Sequence, residues 1–137
     1  MVRYMDSSNL RKIIPVEQLW INLENFENRL YEISSSKDSY LNDISQYLIK
    51  AGGKRFRPIC TLLAGELGNG DNKKIIDAAV AVELIHLGSL YHDDVIDGAE
   101  TRRSVQSANV KWNSTLSILA GDYLLARSSE LASETLG

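Results

Sequence analysis

Apolar residues recur at helical spacing along most of the chain. Between residues 15 and 34 they fall three or four positions apart, which places them on one face of a helix: Leu19, Leu23, Phe26 and Leu30. The same kind of pattern predicts four further helices, over residues 40–50, 58–67, 75–96 and 114–135. Because no stretch alternates between apolar and polar residues for long, strands are not expected. The pattern therefore predicts an all-α, antiparallel helical bundle of about five helices.

The segment 75–96 is apolar or small on nearly every side, which is typical of a helix buried inside a bundle. One stripe departs from this pattern, at successive spacings of four, three, four and four: Val82, His86, Ser89, Asp93 and Asp97. The aspartates could simply mark a solvated helix end, but acidic residues do not suit a helix C-terminus. We therefore expect the stripe to line a cavity.

A cluster of carboxylates closes this helix, and the pair Arg102-Arg103 follows it. On a helix, Asp93 and Asp97 share a face about 6 Å apart, while Asp94 lies roughly 100° round. Carboxylate oxygens are hard ligands that suit Mg²⁺, which keeps several waters and completes its shell with phosphate oxygens. The cluster therefore predicts a metal and a phosphorylated ligand.

A second charged segment, AGGKRFRP at 51–58, places two glycines before three cations. Pro58 suits the first turn of a helix, and a helix N-terminus favours anions. Lys54 and Arg57 could add charge-assisted hydrogen bonds to phosphate oxygens. Alone, the segment also fits an exposed basic loop, and its spacing excludes a P-loop.

Together these segments resemble the trans-type polyprenyl diphosphate synthases. The resemblance rests on GGKRFRP at 52–58, ELIHLGSLYHDDVID at 83–97, RR at 102–103 and LAGDYLLAR at 119–127. It implies a helical bundle of the isoprenoid synthase type. The implied reaction condenses an allylic diphosphate with isopentenyl diphosphate and lengthens the chain by one isoprene unit. Where the family commonly has glycine after the arginine pair, this chain has Ser104.

The resemblance also implies roles for individual residues. Asp93 and Asp97 would hold Mg²⁺ against the allylic diphosphate, Asp94 would support the cluster, and Arg102 would contact that diphosphate directly; these four would carry catalysis. The isopentenyl diphosphate pocket would be formed by Lys54, Arg57, His86 and Arg103. A satisfied core histidine is the alternative for His86, and its place on the aspartate stripe favours the ligand interpretation.

Product length is expected to depend on Gly88 and Ser89, five and four residues before Asp93. In the family, bulky aromatic side chains at these places stop elongation early, whereas this chain has almost no side chain there. We therefore expect a product of geranylgeranyl length or longer. The alternative is that Gly88 only permits close helix packing.

Family members run to more than twice 137 residues and carry a second aspartate-rich motif, which a scan of this sequence does not find. We therefore expect residues 15–137 to be the N-terminal part of a synthase domain, inactive by itself, after a poorly ordered stretch at 1–14. One alternative is a non-catalytic small subunit of a heteromeric synthase. A class I terpene cyclase is the third possibility. It is the least favoured of the three, because a cyclase does not require the segment GGKRFRP that this chain contains.

Composition narrows the remaining possibilities. Hydrophobic residues make up 44% of the chain, which is enough for a core, and the net charge of −3 gives no argument for nucleic acid. A single cysteine, Cys60, fits a reducing compartment and is expected to be buried. No apolar stretch is expected to be long enough and free enough of charge to span a membrane. We therefore expect a cytoplasmic protein with no transmembrane segment, acting as a homodimer or beside a full-length subunit.

Overall fold

The computed structural model describes residues 7–68 and 70–135, and in those ranges the chain folds into eight helices and one short hairpin. The helices are α1 (Ser7–Ile13), α2 (Glu17–Ser34), α3 (Ser39–Ser45), α4 (Tyr47–Lys50), α5 (Phe56–Glu66), α6 (Asn72–Ile96), α7 (Ala108–Lys111) and α8 (Ser114–Thr135). The antiparallel hairpin pairs β1 (Thr101–Arg102) with β2 (Val105–Gln106), between α6 and α7. The all-α class is confirmed, and the hairpin is its only exception within the described ranges.

Two local expectations differ from the structure. Helix α1 lies in the stretch 1–14, which was expected to be poorly ordered; residues 1–6 lie outside the described residues. Cys60 is exposed on α5, so the prediction that it is buried was wrong. It falls on the outer side of an amphipathic helix whose inner side carries the fully buried Leu62.

The core forms around α6, which packs against α8, α5 and α2. Asp71 caps the start of α6, its carboxylate accepting a 2.9 Å hydrogen bond from the Lys73 amide. The predicted apolar face of α2 is buried against this core, and Trp20 packs there as well, donating to the Ile14 carbonyl at 3.0 Å. Because α6 is surrounded on most sides, it needs apolar residues on most sides, and this explains its apolar composition.

By length and composition α6 could also cross a membrane, with a mean hydropathy of 1.3 over its most apolar 18 residues. The expectation that no stretch meets this test was therefore wrong. Half of that window is buried inside the protein, and the core helix of a helical bundle passes the same test. Helix packing thus supplies a structural reason for the apolar composition.

Helices α6 and α8 run antiparallel and approach closely where Gly88 faces Gly121. A methyl group built on Gly88 would lie 3.0 Å from the Gly121 carbonyl oxygen and from Cγ of Leu125. On either side of this point the Ser117 hydroxyl donates to the Tyr91 carbonyl and the Ser128 hydroxyl to the Ala81 carbonyl. Gly88 therefore faces α8 and not the stripe, which corrects its assignment to the product cavity in favour of the packing alternative.

A single hydroxyl divides the predicted helix 40–50 into α3 and α4. The Tyr91 hydroxyl accepts a hydrogen bond from the Leu48 amide at 3.2 Å and donates to the Ile44 carbonyl. These are the two groups that an uninterrupted α-helix would join directly. Insertion of a side chain into the hydrogen-bond ladder breaks the helix at Gln46. Burial raises the pKa of Tyr91, so it remains a donor at neutral pH.

We expect Gly121→Ala to lower the free energy of unfolding by about 1–2 kcal/mol, although alanine favours helix by about 1 kcal/mol. The new methyl group would lie 2.9 Å from the Gly88 carbonyl oxygen and 2.5 Å from the His92 ring. Urea denaturation followed by circular dichroism measures the change, with Ser133→Ala on the exposed side of α8 as the control. Unchanged stability in Gly121→Ala would contradict the close contact.

Candidate active site

Two of the three aspartates at the end of α6 are exposed. Asp93 and Asp97 lie one turn apart, and the Asp97 amide donates to the Asp93 carbonyl at 2.8 Å in the last turn. Gly98, at φ +61°, then turns the chain away from the helix axis. The two carboxylates are thus presented side by side, as the helical spacing predicted.

Asp94 points inward and is fully buried. Its Oδ1 accepts hydrogen bonds from Nε and Nη2 of Arg102 at 2.9 and 2.5 Å, and this contact raises the pKa of Arg102. Its Oδ2 is buried without a hydrogen-bond partner in the described part of the chain. Asp94 therefore supports the cluster by fixing Arg102 next to the exposed carboxylates.

The hairpin places the arginine pair. Arg103 and Ser104 occupy the turn with φ of +52° and +66°, the left-handed backbone that two-residue hairpins require. A side chain is strained there and glycine is not, which gives a physical reason why the family commonly has glycine where this chain has Ser104. The turn directs Arg102 to Asp94, and Arg103 toward α4 and the loop that precedes α5.

A pocket of about 330 Å³ gathers the predicted basic residues from three separate segments. Its lining consists of Gly53, Lys54, Arg55, Phe56, Arg57, Glu83, His86 and Arg103. All four residues assigned to isopentenyl diphosphate are among them. Lys54 and Arg57 are exposed, and no carboxylate of the described residues lies within 4 Å of either side chain. The pocket therefore presents cations whose charge is available to an anion.

Arg103 forms the back of this pocket. Its Nη1 donates to the Leu48 carbonyl at 2.7 Å and to the Gly52 carbonyl. A methyl group on Gly53 would lie 2.9 Å from the guanidinium carbon, so the backbone must be bare where the arginine lies against it. Burial and the charge of Arg55 lower the pKa of Arg103, with Glu83 opposing.

His86 lines the basic pocket and lies two helical turns before Asp93 on the same stripe of α6. Burial lowers its pKa, the charges of Arg57, Arg103 and Arg102 lower it further, and Asp93 opposes them. The imidazole is therefore neutral at pH 7 and can accept or donate one hydrogen bond. Its half-buried position in a charged pocket differs from that of a satisfied core histidine.

The polar stripe of α6 is an open face. Ser89 is half-buried, with its hydroxyl donating to the His86 carbonyl at 2.7 Å, while Val82 is 39% exposed. The neighbouring Ile85 and Leu119 are about half exposed, at 52% and 53%. Among the stripe residues His86 lines the basic pocket, and the cavity that the whole stripe was expected to line stays a prediction.

The sequence interpretation missed three charged residues, Glu27, Arg55 and Glu83. Arg55 was grouped with the cations of its segment, yet its side chain points away from them and is buried between the two glutamates. A glutamate within the apolar stretch of α6 was the available signal, because a buried carboxylate needs a cationic partner.

Among the described residues no three His, Cys, Asp or Glu side chains form a metal site by themselves. The two exposed aspartates at the end of α6 nevertheless fit a metal that takes its other ligands from a bound substrate. Asp93 and Asp97 supply two exposed hard oxygen ligands on one face. Mg²⁺ needs no more than one or two carboxylates when waters and phosphate oxygens complete its shell.

Comparison with known proteins identifies the family of this chain. The model of the polyprenyl synthetase family matches residues 38–136. The chain belongs to the polyprenyl synthetase family. Over 95 residues it is 47% identical to nonaprenyl diphosphate synthase of Mycobacterium tuberculosis, covering 69% of this chain and 28% of that protein. Over 110 residues it is 41% identical to heptaprenyl diphosphate synthase component 2 of Bacillus subtilis, covering 80% and 32%.

The fold of the family is confirmed by a solved structure. The crystal structure of polyprenyl synthase from Caulobacter crescentus, complexed with calcium and isoprenyl diphosphate, superposes with a TM-score of 0.83 at 36% identity. The match covers 89% of this chain and 37% of that one. The chain thus spans about a third of the length of these polyprenyl synthetase relatives.

We expect the imidazole of His86 to titrate below the ordinary value of 6.5 in proton NMR spectra. Arg57→Ala should raise the midpoint, because it removes a cation that disfavours the imidazolium. Inorganic pyrophosphate should raise it as well, since an anion in the pocket favours the charged ring. The His92 signal is the internal control, because that ring contacts Ile118 and Asp122 outside the pocket. A midpoint insensitive to both changes would contradict the geometry.

Proposed function

We propose that this chain carries the diphosphate-binding part of a prenyltransferase that condenses an allylic diphosphate with isopentenyl diphosphate. One observation carries the proposal: the four side chains assigned to isopentenyl diphosphate line one pocket, and one of them, His86, lies on the aspartate-bearing stripe of α6. His86 and Asp93 are seven residues apart, which is two turns or about 10 Å along that face. This spacing suits two diphosphates bound side by side.

Mg²⁺ is the proposed metal, held by Asp93 and Asp97, where it would neutralise charge on the allylic diphosphate. The calcium in the Caulobacter structure supports a divalent ion. Arg102, fixed by Asp94, would donate to the same diphosphate as it departs. A guanidinium already in place stabilises that developing charge without further reorganisation.

The second diphosphate would bind in the basic pocket. Lys54 and Arg57 provide exposed charge at its mouth, and Arg103 provides charge at its back. His86 would donate one hydrogen bond to a phosphate oxygen, and the bound anion would favour the protonated form of its ring. These contacts would hold the isopentenyl double bond next to the carbon from which the allylic diphosphate leaves, so that attack and proton loss lengthen the chain by one unit.

A second candidate is a role as one component of a heteromeric synthase. The relative named component 2 of heptaprenyl diphosphate synthase favours an assembly of this kind. The chain nevertheless keeps every charged residue that the resemblance assigns to the two diphosphates and the metal, and a purely non-catalytic subunit does not need them. A homodimer and a heteromer both agree with the apolar residues exposed on α6 and α8.

The proposed product is geranylgeranyl diphosphate or longer, and among the residues of this chain Ser89 is the one that supports it. Ser89 lies on the aspartate face one turn before Asp93, about 6 Å from it. Its small side chain leaves room for a growing prenyl chain. Relatives named for geranylgeranyl, heptaprenyl and nonaprenyl products support this range.

The metal site is tested by Asp93→Asn. We expect the substitution to weaken Mg²⁺-dependent binding of geranyl diphosphate at least about tenfold, or 1.4 kcal/mol, because a neutral amide is a poorer magnesium ligand. Isothermal titration with and without Mg²⁺ measures the effect. Asp43→Asn, an exposed aspartate on α3, is the matched control. Equal metal dependence in Asp93→Asn would remove the aspartates from the mechanism.

Product length is tested by Ser89→Phe in an enzyme of the relatives' full length that carries this segment. A ring on the aspartate face should block the growing chain, so the main product should shift toward farnesyl diphosphate. Chromatography of the dephosphorylated products from labelled isopentenyl diphosphate measures the distribution. If farnesyl is already the main product before substitution, or if the distribution does not move, Ser89 does not line the product cavity.

A further inference from the structure

A chain of buried ion pairs lies directly behind the basic pocket. Arg55 is 3% exposed, and its guanidinium binds Glu27 through two nitrogens, Nε to Oε1 at 2.5 Å and Nη2 to Oε2 at 3.3 Å. Its Nη1 donates to Glu83 at 3.3 Å. Glu83 in turn lies 3.9 Å from Nη2 of Arg103. The network thus joins α2, α6, the loop before α5 and the hairpin turn.

The backbone at Arg55 shows why the side chain turns inward. Arg55 has φ +52°, a left-handed conformation that costs a residue with a side chain about 1–3 kcal/mol. It follows Gly52 and Gly53, which also have positive φ, and immediately precedes the first residue of α5. Neighbouring cations therefore point in opposite directions, with Arg55 buried while Lys54 and Arg57 are exposed.

The charges of the network balance one another. Burial acts against the charged form of Arg55, but the hydrogen bond and charge of Glu27 and the charge of Glu83 outweigh it and raise the pKa of Arg55. Burial raises the pKa of Glu83, against the effect of Arg55 and Arg103. Two carboxylates and two guanidinium groups are thus held together with no net charge, beneath cations that face the pocket.

We infer that Arg55 is a positioning residue, and that its clamp between Glu27 and Glu83 sets the affinity of the pocket for a diphosphate by fixing Lys54, Arg57 and Arg103. This inference rests on the proposed function, because it assumes that the pocket binds a diphosphate. The inference makes a counterintuitive prediction for Glu83. A carboxylate in the pocket wall repels a bound anion, so charge alone predicts that removing it strengthens binding. If Glu83 instead holds Arg55 in place, removing its charge should weaken binding.

The experiment is isothermal titration of the 137-residue chain with inorganic pyrophosphate, in a chelator so that the aspartates hold no metal. We expect Glu83→Gln to weaken binding about three- to tenfold, on the scale of coupling between residues of one network. If Glu83 acted only through its charge, the same substitution would tighten binding. The sign of the change therefore separates positioning from charge, and equal or tighter binding overturns the inference.

Glu27→Gln provides a second variant outside the pocket lining. It should weaken binding in the same way, while Glu24→Gln, an exposed glutamate on the same helix, should leave the Kd unchanged. Circular dichroism at the titration temperature tests whether each variant is folded. If Glu83→Gln is unfolded there, the comparison of Glu27→Gln with Glu24→Gln decides, and equal Kd values overturn the inference.

Arg55→Lys tests whether the two glutamates act through one residue. Lysine keeps the charge but cannot bind two carboxylates with a planar fork, so it should weaken binding by itself. In that background Glu27→Gln should add less than about twofold, because its partner geometry is already lost. Full additivity overturns the inference. Failure of the unmodified chain to bind pyrophosphate or isopentenyl diphosphate would instead overturn the proposed function, and the inference with it.

Discussion

Helix α6 must be buried on most of its circumference and chemically active on what remains, and the rest of the molecule is arranged around that constraint. Helices α2, α5 and α8 cover its apolar sides. The contact with α8 is close enough that Gly88 and Gly121 meet through their backbones. A rigid helix held in this way fixes His86 and the aspartates along one line, and the proposed function depends on that alignment.

Charge placement follows a single rule in this structure: a charged group that faces inward has a partner, and the exposed charges of the site lack one close by. Asp94 is buried with Arg102, and Glu27 and Glu83 are buried with Arg55. Asp93 and Lys54 are exposed instead. Leaving a buried charge unpaired costs several kcal/mol. The buried pairs therefore hold in place the loop before α5 and the hairpin, which carry the exposed basic side chains or lie next to the exposed aspartates.

Two tight turns bring the basic pocket together. The loop at 52–55 and the hairpin turn at 103–104 both use left-handed backbone, and the Arg103 guanidinium lies against Gly53 where they meet. These residues are some fifty positions apart in sequence. Their contact is possible because the glycine leaves room for a planar guanidinium, which is why the pocket contains both Lys54 and Arg103.

The sequence by itself determined the main helical segments, since apolar periodicity is a local property, and it identified Lys54, Arg57, His86 and Arg103, which meet in the pocket. Only the tertiary structure decided what each of them faces. It turned Arg55 inward, placed Gly88 against α8, and broke the helix at Gln46 through the Tyr91 hydroxyl. Each outcome depends on partners that are distant in the chain, so the free energy of packing decided them and no local pattern could.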